Sequence, residues 1–328
     1  MNFFKKIFFT IVTLSIIASL SIAFTGCPAK PAEPTEEAAE TPTEPEAATT
    51  EEPEAPAAEL GTAENPLVMA FAPSGEADRI LASGEKVGKM IEEITGYEIE
   101  SHVATNYAAL IESMGAGNTH IGWLATVQYI MAKEKYDVEG LLTSTRYGYP
   151  TYKGEIIVHV DSGFESIADL EGKTFGTSDQ LSTSGFIYPM LLLAKEGYDY
   201  TTFFSEIKTT GSHDATALAI YNQEIDAGAG YDDIRGTIED KFPDVKEKVI
   251  VLTYTDDIPN DTFSVVKDMP DEMKENLKNA LLQIVETEDG LAELKAIYSH
   301  TGYIELDDSM YDVVREAMKL LPELFEEE

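Results

Sequence analysis

From residue 66 onward, short apolar runs of strand length alternate with longer stretches of helical period, and this alternation runs through twice. No other regularity in the chain constrains the fold as much, because adjacent parallel strands need a long crossover, usually a helix. In the first set, residues 66–72 (PLVMAFA) read as a buried strand, and residues 76–94 carry Ile80, Leu81, Val87, Met90, Ile91 and Ile94 at helical spacing. A half-buried strand at 97–103, a short helix at 106–114, a strand at 121–124 and a helix at 126–135 complete it. The second set restarts with a strand at 155–160, a short helix at 166–170 and a strand at 174–176. A helix after Ser182, a strand near Ile207, a helix at 211–218, a strand at 225–229, a helix at 232–240 and a strand at 249–253 follow. Past Ile258-Pro259 the pattern is mainly helical, at 272–285, 291–297 and 310–320. The expectation is an α/β chain of two lobes with largely parallel sheets and a C-terminal helical segment. Crossovers fall near 150–155 and 253–259, dividing the body into 61–152 with 257–328 and 153–256.

The 328 residues suffice for two such lobes, and a net charge of −37 excludes a nucleic-acid partner, since no basic stripe exists to neutralise phosphates. Any anion must be held by dipoles, hydroxyls and one histidine against an unfavourable overall field. Residues 1–26 read as an export signal: Lys5 and Lys6 precede an apolar stretch at 7–23, and Thr25-Gly26 stand before Cys27. Cys27 is the chain's one cysteine, so no internal disulfide forms. Its position after two small residues marks a bacterial lipoprotein signal, with Cys27 the acylated residue that anchors the chain outside the cytoplasm. Residues 28–60 are almost wholly Pro, Ala, Glu and Thr, a composition that reads as a disordered tether. At roughly 3.1 Å per residue it spans at most about 100 Å.

Two stretches carry candidate chemistry. Ser182-Thr183-Ser184-Gly185 lies between a strand end and an apolar helical run. Helix openings have unpaired N–H groups and partial positive charge, and hydroxyls add donors, so this segment suits a small anion. Its plainer reading is an ordinary N-cap. Pro189 falls inside the helix and predicts a lost hydrogen bond in its second turn. Gly211-Ser212-His213-Asp214 opens another helix, with Ser212 as cap and His213 in the first turn. A neutral imidazole donates one hydrogen bond there and a protonated one adds charge. An Asp adjacent in sequence is badly placed to orient that ring, and no G-x-S-x-G elbow surrounds the serines, so a hydrolytic triad is not expected. His102, His120, His159, His213 and His300 show no metal-ligand spacing, and no cofactor is expected.

These stretches stand in order with Tyr107-Ala108-Ala109-Leu110-Ile111-Glu112, Ile121-Gly122-Trp123-Leu124, Asp169-Leu170-Glu171-Gly172-Lys173-Thr174-Phe175 and Ile258-Pro259-Asn260-Asp261. The set, over residues 65–290, resembles the substrate-binding proteins of phosphonate, phosphite and phosphate ABC transporters. The resemblance implies a type II periplasmic-binding-protein fold whose lobes close on a small phosphorus oxyanion for delivery to a permease, with a monomeric receptor and no catalysis. It implies that Ser182, Thr183, Ser184 and His213 hold the ligand oxygens and that Tyr107 reaches them from the first lobe. Tyr152, in a cluster with Tyr147 and Tyr149, matches a ligand-contacting crossover tyrosine. Carboxylates that pair with a substrate ammonium in aminoalkylphosphonate binders match Asp233 and Asp261, with Asp232 beside the first. Trp123 reads as core or as pocket lining. A sulfonate or another small organic anion is the alternative ligand.

Overall fold

The computed structural model describes residues 59–325; the export segment, Cys27 and nearly all of the tether lie outside the described residues. The chain opens with β1 (Leu67–Phe71), α1 (Ala77–Thr95), β2 (Ile99–Val103), α2 (Tyr107–Gly115), β3 (Ile121–Leu124), α3 (Thr126–Tyr136) and β4 (Glu139–Thr145). It then passes into a second sheet through β5 (Thr151–His159), β6 (Thr174–Thr177), α4 (Tyr188–Lys195), β7 (Glu206–Thr209), α5 (His213–Tyr221), β8 (Ala227–Tyr231), α6 (Val245–Lys248) and β9 (Val249–Pro259). The chain returns with β10 (Thr262–Val265), α7 (Asp271–Ile284), α8 (Glu288–Tyr298), β11 (Gly302–Glu305) and α9 (Asp312–Met318). The first sheet runs β11-β4-β10-β3-β1-β2 and the second β7-β6-β8-β5-β9. Each sheet with its helices is one lobe.

Only part of each sheet is parallel. β2-β1-β3 and β7-β6-β8 pair in parallel, as the βα alternation dictates, whereas β4, β10, β11, β5 and β9 are antiparallel. The antiparallel members include the strands that carry the chain between lobes. β5 and β9 lie side by side along their length, from Thr151 opposite Pro259 to His159 opposite Val249. The two connecting segments, 146–150 and 260–261, therefore run together. Past Pro259 the three expected helices are present as α7, α8 and α9, interleaved with β10 (TFSV) and β11 (GYIE), which at four residues each are too short to give a period in sequence.

Residues 232–240 also depart from expectation. Only Ile234–Thr237 turns helically, as a 3₁₀ segment, because Asp233 Oδ1 accepts the Arg235 N–H at 3.1 Å and Gly236 follows. A π-type turn, Thr183–Ile187, runs directly into α4, with the Ile187 N–H bonded to the Ser182 carbonyl at 3.1 Å, so Pro189 lies in the first turn of α4 and in the second turn counted from Thr183, as expected.

The first lobe is built on Leu67, Met69 and Phe71 packed against Ile80, Val87 and Ile91 of α1, all fully buried. Each such side chain contributes about 1.5–3 kcal/mol. The site below thus sits on rigid elements rather than on free loops.

Candidate functional site

Four helix openings converge on one enclosed cavity between the lobes. Tyr107 is the first residue of α2, Ala125 caps α3, Thr183 and Ser184 begin the π-type turn, and His213 is the first residue of α5; all line it. The empty space within the cavity is about 360 Å³. Helix openings carry partial positive charge, which favours negative charge nearby, and no Lys lines the cavity.

The hydroxyls divide their work. Ser182 Oγ accepts the Gly185 N–H at 3.1 Å, the cap role, while still lining the cavity. Thr183 Oγ1 accepts the Val127 N–H at 3.0 Å, which ties the π-type turn to α3 of the other lobe and leaves its own proton to donate. Ser212 caps α5 by accepting the Ala215 N–H at 3.1 Å and is not among the lining residues. Gly185 has no side chain for a reason of space: a Cβ there would lie 2.8 Å from Ser182 Oγ and 3.2 Å from His213 Cε1.

The His213 ring is 3 % exposed, packs edge-on against Tyr231 at 5.0 Å, and its Nδ1 has no partner. Burial, and then the Arg146 charge, push its pKa down to about 3, against smaller opposing effects of Asp261 and the Ala229 backbone. Burial thus favours the neutral imidazole. Burial also holds Tyr107 well above the usual phenol range and pushes Tyr152 up to about 12, so both keep the protons they donate. Trp123 is both core and lining: its ring stacks on His300 at 5.9 Å, and its buried Nε1 lacks a partner.

The sequence reading missed Arg146. Its guanidinium is 5 % exposed and lines the cavity. Nε donates to the Tyr298 carbonyl at 3.0 Å, Nη1 to Asn260 Oδ1 at 3.1 Å and Nη2 to Asp261 Oδ2 at 2.5 Å. The Tyr152 and Tyr231 rings cover it at 4.6 and 5.3 Å. Asp261 Oδ2 also meets His300 Nε2 at 3.3 Å. Burial raises the Asp261 pKa, but Arg146 and His300 outweigh it and hold the carboxyl below its ordinary value. The ion pair is assembled from the two connecting segments, one member from each. In sequence Arg146 sits in an unremarked Ser-Thr-Arg-Tyr-Gly run, and its partner lies 115 residues away.

Of the residues anticipated from sequence, Ser182, Thr183, Ser184, His213, Tyr107, Tyr152 and Asp261 line this one cavity. Tyr152 is separated from Tyr147 and Tyr149, which are 73 % and 68 % exposed. Asp233 is a correction: it is not a lining residue, and its carboxylate is held by Arg235 at 2.7 and 3.1 Å because that guanidinium follows it within one turn. Asp232 does not line the cavity either. A formal positive charge, Arg146, also lines the cavity where dipoles, hydroxyls and one histidine were expected. Among the described residues no three His, Cys, Asp or Glu side chains gather to hold a metal ion, and no helix is long and apolar enough to cross a membrane.

Residues 69–311 match the family described as ABC transporter, phosphonate, periplasmic substrate-binding protein. The phosphate-import protein PhnD of Mycolicibacterium smegmatis is 28 % identical over 268 residues, covering 76 % of this chain and 84 % of that protein. A binding protein component of an ABC phosphonate transporter from Pseudomonas aeruginosa superposes with a TM-score of 0.70 at 22 % identity, covering 76 % of this chain and 84 % of that one. PhnD1 of Prochlorococcus marinus, solved with methylphosphonate, gives a TM-score of 0.71 at 17 % identity over 78 % of this chain and 98 % of that one. These two likenesses establish the fold as that of the type II periplasmic binding proteins. The family is one of transporter components rather than enzymes, and the chain belongs to the periplasmic substrate-binding proteins of phosphonate ABC transporters.

Proposed function

We propose that the cavity is the ligand site and that it captures a phosphorus oxyanion, phosphonate, phosphite or phosphate, for delivery to an ABC permease. What carries this reading is the convergence of four helix openings on one enclosed space. Thr183, Ser184 and Ser182 donate hydroxyl hydrogen bonds to the ligand oxygens, Tyr107 and Tyr152 donate from the other walls, and neutral His213 adds one more. A micromolar ligand needs about 8 kcal/mol. Hydrogen bonds to a charged group net about 1.5–3 kcal/mol each, so five or six suffice after the ordering cost of closure.

The lobes divide near residues 152 and 257 and close about the connecting segments as a hinge. Cys27, acylated after cleavage of residues 1–26, anchors a monomer to the outer face of the membrane through the 28–60 tether. Calorimetric titration with methylphosphonate, phosphite, phosphate, aminoethylphosphonate and sulfate tests the reading. Binding of a phosphorus oxyanion, lost at least tenfold in His213→Ala, is the expected result. Heat with none of the phosphorus compounds, or with sulfate alone, ends it.

A further inference from the structure

We propose that Arg146 is the specificity-determining residue of this cavity, and that it selects a phosphorus oxyanion without an amine. The inference rests on the ligand class proposed above and narrows it.

Asp261 is the one acidic side chain among the cavity's lining residues, and so the one candidate to receive a ligand ammonium. It is not free to do so. Its Oδ2 is taken by Arg146 Nη2 at 2.5 Å and faces His300 Nε2 at 3.3 Å. An ammonium brought to this wall meets a guanidinium of the same sign beside a carboxylate whose charge is already neutralised. Two nearby acids outside the lining already have a cationic partner. Asp233 is held by Arg235, and Asp214 accepts from the Glu76 N–H and from Arg79.

Arg146 can instead serve an oxyanion. A guanidinium carries five N–H donors, and three of them are used by Tyr298, Asn260 and Asp261. Of the two that remain on the terminal nitrogens, one is within reach of the Tyr152 side chain, and the guanidinium lines the cavity. The Tyr152 and Tyr231 rings pack on the guanidinium at 4.6 and 5.3 Å, which restrains its plane.

The test is a set of titrations of the exported, signal-free protein with phosphate, phosphite, methylphosphonate and aminoethylphosphonate, repeated on Arg146→Met and Arg146→Lys. The wild type is expected to bind the tightest amine-free compound at least 30-fold more tightly than aminoethylphosphonate. Arg146→Met frees Asp261 and should cut that ratio at least tenfold, while Arg146→Lys keeps most of it. A purely structural role for Arg146 would weaken all ligands together and leave the ratio unchanged, which overturns the proposal. Equal or tighter wild-type binding of aminoethylphosphonate overturns it too, with the phosphorus-oxyanion reading left standing. Binding of none of the four would end both. The wild-type ratio alone decides the matter should Arg146→Met fail to fold.

Discussion

The backbone N–H of His213 donates to the Ser74 carbonyl at 2.9 Å, so the residue that opens α5 in one lobe is fastened to the loop after β1 in the other. Beside it, Asp214 Oδ2 accepts from the Glu76 N–H at 3.3 Å and from Arg79 Nη2 at 3.4 Å. Together with Val127 on Thr183, these contacts hold the lobes shut over the cavity. Asp214→Ala removes two of them. The Arg79 and Asp214 side chains are 35 % and 16 % exposed, so solvent screens the pair and the loss is modest, about 0.5–1.5 kcal/mol. Because closure and binding share one equilibrium, affinity should fall about 2–10-fold, with faster ligand release. The wild type should lose part of this advantage in high salt and the variant should not. Calorimetry at two ionic strengths checks both points, and unchanged affinity in Asp214→Ala would remove the latch.

A second consequence concerns Gly230, at the end of β8. A Cβ there would lie 2.5 Å from Ile234 Cγ2 and 2.8 Å from His213 Nδ1, so the imidazole must move. Gly230→Ala should weaken ligand binding at least tenfold while far-UV circular dichroism stays native. Gly236→Ala is the control, since a Cβ there meets nothing within 4 Å. Equal affinities for the two variants would show that the position of the His213 ring is not critical.

Much of this architecture is written locally in the chain. The parallel strands and their helices show as runs of period 2 and 3.6, and Asn106, Ser182 and Ser212 stand as caps where hydroxyl or amide chemistry marks a helix opening. Seven lining residues follow from those openings or from family resemblance. What escapes is whatever long-range pairing decides. β10 and β11 exist because β4 offers an edge to each, and nothing in four residues announces that. Arg146 is a site residue only because the connecting segments run together and bring Asp261 to it. Asp233 and Asp261 are both acids beside an apolar run, and only the fold assigns Arg235 to one and the cavity to the other.

Attachment to the membrane gives a third expectation. It rests on Cys27 standing directly after Thr25-Gly26 at the end of the proposed export signal. In a bacterial host the wild-type chain should sediment with membranes and take up labelled fatty acid. Cys27→Ala should do neither, and should leave calorimetric affinity unchanged, because the residues lining the cavity all fall within 72–298. Recovery of exported wild-type protein with a free thiol at Cys27 would rule out the anchor.

The last prediction comes from Glu155, fully buried on β5 behind the cavity wall. Its Oε1 accepts the Ile234 N–H at 3.0 Å and its Oε2 has no partner. Burial, and then the Asp233 charge, push its pKa up to about 8 from an ordinary 4.5. The folded chain therefore keeps a proton that the unfolded chain has released, and its stability is full below about pH 4.5 and declines up to about pH 8. The slope is about 1.4 kcal/mol per pH unit for one group. His213 acts in the opposite sense. Its folded pKa of about 3 lies below the ordinary 6.5, so the unfolded chain binds the extra proton and stability rises with pH across that window. Between about pH 4.5 and 6.5 the two slopes cancel, and from 6.5 to 8 the Glu155 effect stands alone of the pair. Thermal midpoints of the wild type should fall over that upper interval. Glu155→Gln, which keeps an acceptor for Ile234 and carries no charge, should flatten the fall and be the more stable protein at pH 8. A decline equally steep in both would mean that Glu155 is already ionised in the fold.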